Sequence, residues 1–339
     1  MIRILALLVA LACAPALAAV GLTTIPGKRD DAPVTVFYPT HAAAQPVMRG
    51  PFKLVVAENA EPARGNGRLV VISHGSGGAP WVHSDLAILL VDAGFVVALP
   101  EHVGDNYHDI SLVGPASWKR RPAEVSDAID VVAADARFKP LVEVSKVGMF
   151  GMSAGGHTAL ALAGGTWSPH RLLEHCEAHI DDDFQSCVGL ATRLDGGILD
   201  GLKKAIALWV IRRKLGDDTA YGHTDPRIAA IVAGAPFAAD FDPATLASPR
   251  AALALVASRE DHWLVPKYHG DVIAQACLPR CEILADFAHG GHGALLSPLP
   301  PEMGGLLAEL IGDPPGFDRS EVAVAYRKMA AFFRDHLLP

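Results

Sequence analysis

The chain has 339 residues, half of them hydrophobic, with a formal net charge of −8 and a pI of about 6.0. That is enough apolar material for one large α/β domain with an insertion, or for two small domains. No basic run is longer than three residues, the length of Arg212-Arg213-Lys214, so the composition argues against nucleic acid as a partner.

The N-terminal residues predict a secretory signal peptide at residues 1–18. Met1-Ile2-Arg3 is a short charged start, residues 4–12 are almost entirely apolar, and Ala16-Leu17-Ala18 has the small-residue pattern of a cleavage site. The apolar run is too short for a stable membrane span. We therefore expect cleavage near Ala18 and a mature protein that is periplasmic or secreted.

The cysteines that follow this segment predict disulfide bonds. They are Cys176, Cys187, Cys277 and Cys281. An even number of cysteines in an exported chain is typical of disulfides, and this set allows three pairings. Proximity in the sequence favours Cys176–Cys187 and Cys277–Cys281.

The predicted elements indicate an α/β fold with a mostly parallel, doubly wound sheet. Residues 33–39 and 52–56 predict an antiparallel hairpin at the edge of that sheet. Strands then alternate with helices, which is typical of right-handed βαβ units. The remaining strands are predicted at 68–73, 95–100, 147–150, 228–233, 251–257 and 281–284, and helices at 84–93, 124–135, 154–163 and 321–336.

Residues 166–226 interrupt this alternation and are predicted to form a cap inserted over the site. A helix from about Leu199 to Leu215 carries apolar residues that we expect to wall a substrate pocket, and basic residues that we expect to stay in water. The alternative is that the apolar residues only pack the cap onto the body. The apolar set is Leu202, Ile206, Trp209 and Val210, and the basic set is Lys203, Lys204, Arg212 and Arg213.

The same segment also contains residues that could ligate a metal ion. They are His170, His175, Cys176 and His179. No C-x-x-C or H-E-x-x-H spacing accompanies them, so no metal site is predicted.

The stretch Gly151-Met152-Ser153-Ala154-Gly155 fits G-x-S-x-G between a predicted strand and a predicted helix. In this turn the serine hydroxyl projects above the sheet, and the flanking positions must be small to avoid collisions. An incidental serine in a glycine-rich turn is the alternative. The context favours a nucleophile at Ser153, with the N–H of Ala154 facing the reaction site.

A second glycine-rich loop, His74-Gly75-Ser76-Gly77-Gly78, follows the strand at 68–73. Such a loop brings backbone N–H groups close to a ligand. We expect Ser76 N–H to be the partner of Ala154 N–H in an oxyanion hole. His74 and Met152 are further candidates for substrate contact, together with Trp209 of the cap.

Two more residues complete a candidate triad. Ser153, Asp261 and His292 each follow a predicted strand, and their order along the chain is serine, acid, histidine. The loops after parallel strands meet at one edge of the sheet, where ligands bind. Asp261 is preferred to the neighbouring Glu260, and His292 is preferred to His289.

With these motifs the chain resembles the bacterial "predicted dienelactone hydrolase" group of α/β-hydrolases. That group is similar to platelet-activating-factor acetylhydrolases and, more distantly, to polyester-degrading lipases and cutinases. True dienelactone hydrolases carry a cysteine nucleophile, whereas this chain has Ser153. The matching stretches run from residue 34 to residue 298 and do not include the cap: 36–39, 72–78, 101–106, 121–126, 151–157 and 291–298.

Together, the triad and the resemblance imply a serine ester hydrolase that acts through an acyl-enzyme on short-chain or small esters, with no cofactor. A lipase- or cutinase-like hydrolase of lipids or polyesters is an alternative. A peptidase or amidase on the same fold, or an exported binding protein that has lost activity, are the remaining alternatives.

Overall fold

The structure is a computed structural model that describes residues 19–28 and 32–339. The predicted signal peptide, residues 1–18, lies outside the described residues. The strands are β1 (Ala19–Ile25), β2 (Val34–Thr40), β3 (Gln45–Arg49), β4 (Phe52–Glu58), β5 (Leu69–Ser73), β6 (Val96–Pro100), β7 (Val147–Met152), β8 (Thr166–Trp167), β9 (Ile228–Gly234), β10 (Phe241–Asp242), β11 (Ala252–Ser258) and β12 (Cys281–Phe287). The helices are α1 (Ser84–Asp92), α2 (Pro115–Ala134), α3 (Ala154–Leu162), α4 (Pro169–His179), α5 (Phe184–Val188), α6 (Asp200–Lys214), α7 (Gly270–Cys277), α8 (Gly305–Ile311) and α9 (Ser320–Leu337).

Among the described residues, one sheet of ten strands has the order β12-β11-β9-β7-β5-β6-β2-β1-β4-β3. The strands from β12 to β6 in this order are parallel to one another. The residues of the central strands β5, β7 and β9 are almost wholly buried, as expected for a sheet covered on both faces. Their carboxyl ends meet at one edge, and the loops that leave this edge carry the predicted site residues.

The predicted hairpin between residues 33–39 and 52–56 is wrong. Strand β2 pairs antiparallel with β1 and β6, whereas β4 pairs with β1 and β3. Strand β1 therefore lies between the two strands that were expected to pair. Strands β1 and β3 were not predicted, and each pairs with a strand that is near it in the sequence: β1 with β2 (Ile25 opposite Val34) and β3 with β4 (Arg49 opposite Phe52).

Helices cover both faces of the sheet. The cluster on one face includes residues of α2, α3 and α7, and the cluster on the other includes residues of α1 and α9. Helix α2 begins at Pro115 rather than at the predicted Glu124, and Pro122 lies inside it. A proline inside a helix has a local cost, and the burial of the apolar side chains of Trp118 and Val125 on the neighbouring turns opposes it.

Helices α4, α5 and α6 lie between α3 and β9, and we refer to residues 169–214 as the helical insertion. They pack against one another, and Cys176–Cys187 joins α4 to α5. The second disulfide, Cys277–Cys281, joins the end of α7 to the start of β12. Both predicted pairings are thus present. Within residues 19–28 and 32–339, no helix has the length and hydrophobicity needed to cross a membrane.

Candidate active site

Ser153 lies at a sharp turn between β7 and α3. Its backbone has φ 59° and ψ −119°, a region that residues other than glycine rarely adopt. A Cβ atom on Gly151 would overlap the carbonyl oxygen of Gly155, and one on Gly155 would overlap that of Ser73. The glycines of G-x-S-x-G are therefore a steric requirement of this turn.

The neighbouring loop after β9 holds the strained turn in place. Ser153 N donates to Gly234 O at 3.1 Å, and Phe237 N donates to Ser153 O at 3.1 Å. These backbone bonds tie the turn to a loop far away in the sequence. The surroundings therefore determine the conformation of Ser153, which is what allows a strained residue to persist.

The three predicted triad residues lie together. His292 Nε2 is 3.0 Å from Ser153 Oγ, and His292 Nδ1 is 2.7 Å from Asp261 Oδ2. The other carboxylate oxygen, Asp261 Oδ1, accepts the backbone N–H groups of Trp263 and Leu264, each at 2.9 Å. The turn after β11 thus fixes the acid, and the acid fixes the orientation of the imidazole.

Glu260 and His289, the neighbours that were not selected for the triad, form a separate pair. His289 Nδ1 lies 2.7 Å from Glu260 Oε1, and both side chains are exposed. Neither residue contacts Ser153. The structure therefore places His292 and Asp261, rather than His289 and Glu260, beside the serine.

The glycine-rich loop after β5 lies directly against the serine. A Cβ atom on Gly75 would be 3.4 Å from Ser153 Cβ and 3.8 Å from Ser153 Oγ. Ala154 is the first residue of α3, so its N–H belongs to the unsatisfied first turn of a helix. The two predicted oxyanion donors, Ser76 N–H and Ala154 N–H, thus belong to segments that meet at Ser153.

Comparison with known proteins gives similarity in structure only. No family model matches the chain, and no curated protein matches its sequence. A ferulic acid esterase from Streptomyces cinnamoneus superimposes with a TM-score of 0.60 and 16% identity, covering 96% of this chain and 92% of the esterase. A protein assigned as a dienelactone hydrolase from Klebsiella pneumoniae has a TM-score of 0.51 and 14% identity, covering 94% and 98%.

The chain has the α/β-hydrolase fold. In this fold the turn that carries Ser153 follows β7, Asp261 follows β11 and His292 follows β12. The mostly parallel sheet and the α/β class predicted from the sequence are confirmed.

A buried ion pair that the sequence analysis did not single out supports the glycine-rich loop. Asp105 and Arg121 are both fully buried, and Arg121 Nη2 lies 2.8 Å from Asp105 Oδ2. Asp105 Oδ1 accepts Gly77 N at 2.9 Å, and Oδ2 accepts Ser76 Oγ at 3.1 Å. Burial alone raises the pKa of Asp105, but Arg121, Gly77 N–H and Ser117 together hold it below its usual value. The only sequence signal for this pair was that both residues fall within stretches that resemble the family.

The candidate substrate contacts differ from expectation. His74 is buried, its Nδ1 donates to Gly75 O at 2.7 Å, and its Nε2 accepts His102 N at 3.4 Å. Both ring nitrogens therefore serve the protein and are not free for a substrate. Met152 is also buried, as the last residue of β7.

Part of the apolar surface of α6 is open to solvent, although Ala207 and Ile211 are buried. Leu202, Ile206 and Trp209 are 57%, 53% and 54% exposed. In contrast, the side chains of Lys203 and Lys204 are only 23% and 27% exposed, because they form ion pairs with aspartates. The enclosed acyl pocket expected from the sequence is therefore not formed by these apolar side chains.

A cavity of about 190 Å³ borders Asp261 but not Ser153. Ser153 and His292 are absent from its lining, which is mainly apolar. The lining residues come from β11, the loop after it, α7 and β12: Ala235, Pro236, Leu255, Val256, Ala257, Ser258, Arg259, Asp261, Leu264, Pro266, His269, Gly270, Asp271, Ala274, Leu278 and Ile283.

His175, Asp183 and His269 cluster closely enough to suggest a metal site. The hydrogen bonds argue otherwise. His269 Nδ1 accepts Ala238 N at 2.9 Å, so the ring proton resides on Nε2, which donates to Asp183 Oδ2 at 3.0 Å. A metal-bound histidine normally donates, rather than accepts, through its second nitrogen. The cluster is thus a hydrogen-bonded link between the helical insertion and the loop after Asp261.

Proposed function

We propose that this protein is a serine hydrolase of carboxylic esters. The observation that carries the proposal is the continuous hydrogen-bond chain from Ser153 Oγ through His292 to Asp261, with spacings of 3.0 Å and 2.7 Å. This chain begins at a strained serine in a strand–turn–helix context, which is the arrangement that activates a serine hydroxyl. The ferulic acid esterase fold of the structural neighbour is consistent with this chemistry but shows the fold alone.

The mechanism follows from the geometry. His292 Nε2 takes the proton of Ser153 as its oxygen attacks the ester carbonyl carbon, and Asp261 stabilises the imidazolium that forms. His292 then returns that proton to the departing alkoxide, which leaves as the alcohol and yields an acyl-serine. Water repeats the sequence on the acyl-enzyme, releasing the carboxylic acid and regenerating Ser153.

The negative oxygen of each tetrahedral intermediate is assigned to the N–H groups of Ser76 and Ala154. Removal of one such donor typically raises the barrier by about 3 kcal/mol. Ala154 N–H adds the positive end of the α3 helix, which also favours an anion. No step of this mechanism draws on a cofactor.

The decisive experiment compares wild type with Ser153→Ala on p-nitrophenyl acetate and on an aminoacyl anilide. Wild type is expected to cleave the ester and the variant to lose at least three orders of magnitude in kcat, while keeping its circular dichroism spectrum. A variant within tenfold of wild type would contradict the assignment of the nucleophile. Faster cleavage of the anilide than of the ester would favour the peptidase alternative.

The substrate class proposed from the sequence is a short-chain or small ester. A second candidate, the lipase- or cutinase-like hydrolase of lipids or polyesters, is favoured by the exposed apolar face of α6. Ile110, which is 68% exposed and approaches Gly77, is a separate exposed apolar residue beside the glycine-rich loop. Exposed apolar residues of this kind are typical of surfaces that bind apolar partners.

A series of p-nitrophenyl esters from C2 to C16 separates these two candidates. A maximum of kcat/KM between acetyl and hexanoyl supports the small-ester hydrolase. A maximum at C12 or above, reduced in Trp209→Ala, supports the second candidate. Val324→Ala is a matched control, because Val324 is an exposed apolar residue of α9, a helix outside the insertion.

We also propose that the protein is exported, with residues 1–18 removed. The disulfides Cys176–Cys187 and Cys277–Cys281 support this, because such bonds persist in oxidising compartments. Amino-terminal sequencing of protein recovered from the periplasm and the medium is the test. A mature chain that begins with Met1 would contradict it.

A further inference from the structure

Arg121 is a fully buried cation whose hydrogen bonds converge on the glycine-rich loop. Its Nη1 donates to His74 O at 2.5 Å, and its Nη2 donates to Gly75 O at 3.3 Å. Its Nε and Nη2 also bond the carboxylate of Asp105. The guanidinium therefore binds two successive backbone carbonyls and the acid that holds the other side of the loop.

The carbonyl oxygen of Gly75 accepts hydrogen bonds from three donors. It accepts His74 Nδ1–H at 2.7 Å and Gly78 N–H at 3.1 Å in addition to Arg121. This carbonyl and the N–H of Ser76 belong to the same peptide group. The group is trans, since the cis bonds among the described residues are at Pro279 and Pro298.

In a trans peptide the C=O and N–H point in opposite directions. Because the carbonyl of Gly75 is hydrogen-bonded to buried Arg121, the N–H of Ser76 points away from the interior. Within the described part of the chain that N–H has no acceptor, while Ser76 Oγ is tied to Asp105. The peptide is thus held with a free donor on the side away from Arg121.

We infer that Arg121 is a positioning residue that orients the Gly75–Ser76 peptide and strengthens Ser76 N–H as a donor to the oxyanion. This inference rests on the ester hydrolysis proposed above. A hydrogen bond to an amide carbonyl polarises the amide, and a charged donor does so more strongly. Arg121 thus acts on the reacting oxygen through the Gly75–Ser76 peptide group and does not itself contact the substrate.

The surroundings of Arg121 fit this role. Asp105 balances the charge, so that an isolated buried cation is avoided. Burial, followed by the neighbouring His102 and Arg121, holds the pKa of His74 well below its usual value. A neutral His74 keeps Nδ1–H as a donor to Gly75 O while Nε2 accepts His102 N–H.

Arg121→Lys tests the inference while preserving the charge. A lysine ammonium cannot reach His74 O, Gly75 O and Asp105 with the fork of a guanidinium. We expect kcat for p-nitrophenyl acetate to fall roughly 10- to 100-fold, less than for loss of the donor itself, with KM within about threefold. The inhibition constant of a trifluoromethyl ketone, whose adduct with Ser153 carries an oxyanion, should rise by a similar factor.

A second variant removes both charges, and a third serves as the control. Arg121→Met combined with Asp105→Asn leaves no buried charge unpaired and should show the same split between kcat and KM. Arg227→Lys is the control, because Arg227 precedes β9 at the amino end of the strand and is paired with Asp225. It should leave both constants within about threefold of wild type.

The outcomes separate this inference from the proposed function. Loss of wild-type ester hydrolysis, or activity retained by Ser153→Ala, would refute the proposed function itself. An inactive Ser153→Ala together with a folded Arg121→Lys whose kcat is within threefold of wild type would overturn the role of Arg121 alone. If neither Arg121 variant folds, the Asp105–Arg121 ion pair is assigned to stability, and the proposed positioning role of Arg121 is likewise overturned.

Discussion

His289 and His292 lie in the same loop, yet they bond different acids. Their partners, Glu260 and Asp261, are adjacent in the sequence, and the two distances are equal. His289 Nδ1 is 2.7 Å from Glu260 Oε1, and His292 Nδ1 is 2.7 Å from Asp261 Oδ2. The side chain of His289 is 58% exposed, whereas that of His292 is 7% exposed and reaches Ser153. The exposed pair, His289 and Glu260, therefore serves as an internal control for the buried pair, His292 and Asp261.

The two histidines should respond differently to replacement. His292→Ala is expected to reduce kcat for ester hydrolysis by at least three orders of magnitude, because Ser153 loses its base. His289→Ala should stay within about threefold, since an exposed ion pair contributes little. Steady-state kinetics on p-nitrophenyl acetate decides this, and an inactive His289→Ala beside an active His292→Ala would reverse the assignment.

Stability should fall in mild acid because of His83. This histidine is fully buried, and neither ring nitrogen has a hydrogen-bond partner among the described residues. Burial lowers its pKa from 6.5 to about 4. The unfolded chain therefore binds a proton first as the pH drops, so stability is lost from about pH 6.5 down to about pH 4.

Replacement of His83 by phenylalanine isolates this effect. The free energy of unfolding of wild type relative to His83→Phe should fall by about 3 kcal/mol between pH 7 and pH 4. Urea unfolding at several pH values measures it, and subtraction of the variant removes the contribution of the other histidines. A difference that stays constant over this range would contradict the prediction.

Asp183 should be essential for holding the helical insertion against the loop that follows Asp261. Its Oδ2 lies 2.8 Å from His175 Nε2 and 3.0 Å from His269 Nε2, and its Oδ1 accepts Val265 N at 3.2 Å. Asp183→Asn should lower the free energy of unfolding at pH 7 by about 3 kcal/mol, because an amide cannot accept all of these donors.

The adjacent Asp182 supplies the control for this variant. Asp182 bonds Lys267 and Tyr268 at the surface, and both members of its ion pair are 58% exposed. Asp182→Asn should leave the free energy of unfolding almost unchanged, because an exposed ion pair contributes little. Equal losses in the two variants would refute the buried link, and a large drop in melting temperature with EDTA would indicate a metal ion instead.

The two disulfides should each add modestly to stability. They close short loops, with sequence separations of 11 for Cys176–Cys187 and 4 for Cys277–Cys281. Chain entropy then predicts about 2–3 kcal/mol for each bond. Mass spectrometry after alkylation of the denatured, unreduced protein tests the pairing, and labelling at all of these cysteines would refute both bonds.

The G-x-S-x-G turn could be predicted from the sequence because its residues stand close together in the chain. A Cβ atom on Gly151 would collide with Gly155 O within the turn, whereas one on Gly155 would collide with Ser73 O of β5. The order serine, acid, histidine and the apolar runs of a sheet buried on both faces were also visible in the sequence. The fold class and the parallel strands followed from these patterns, and the two disulfide pairings followed from proximity in the sequence.

Other features depended on contacts between segments that the sequence does not place side by side. Strand β4 pairs in parallel with β1 rather than with β2, and Leu202, Ile206 and Trp209 of α6 are left in water. Periodicity identifies a helix face but not what covers it, because burial is decided by the packing of other elements.

The sequence by itself therefore determined the nucleophile turn, the chain order of the site residues and the fold class, since sterics and hydrophobic patterning act over a few residues. Only the tertiary structure decided that Arg121 reaches His74 O and Gly75 O across 47 and 46 positions of the chain. Hydrogen bonds of this kind form only after the strands have brought the loops together, and no local pattern encodes them.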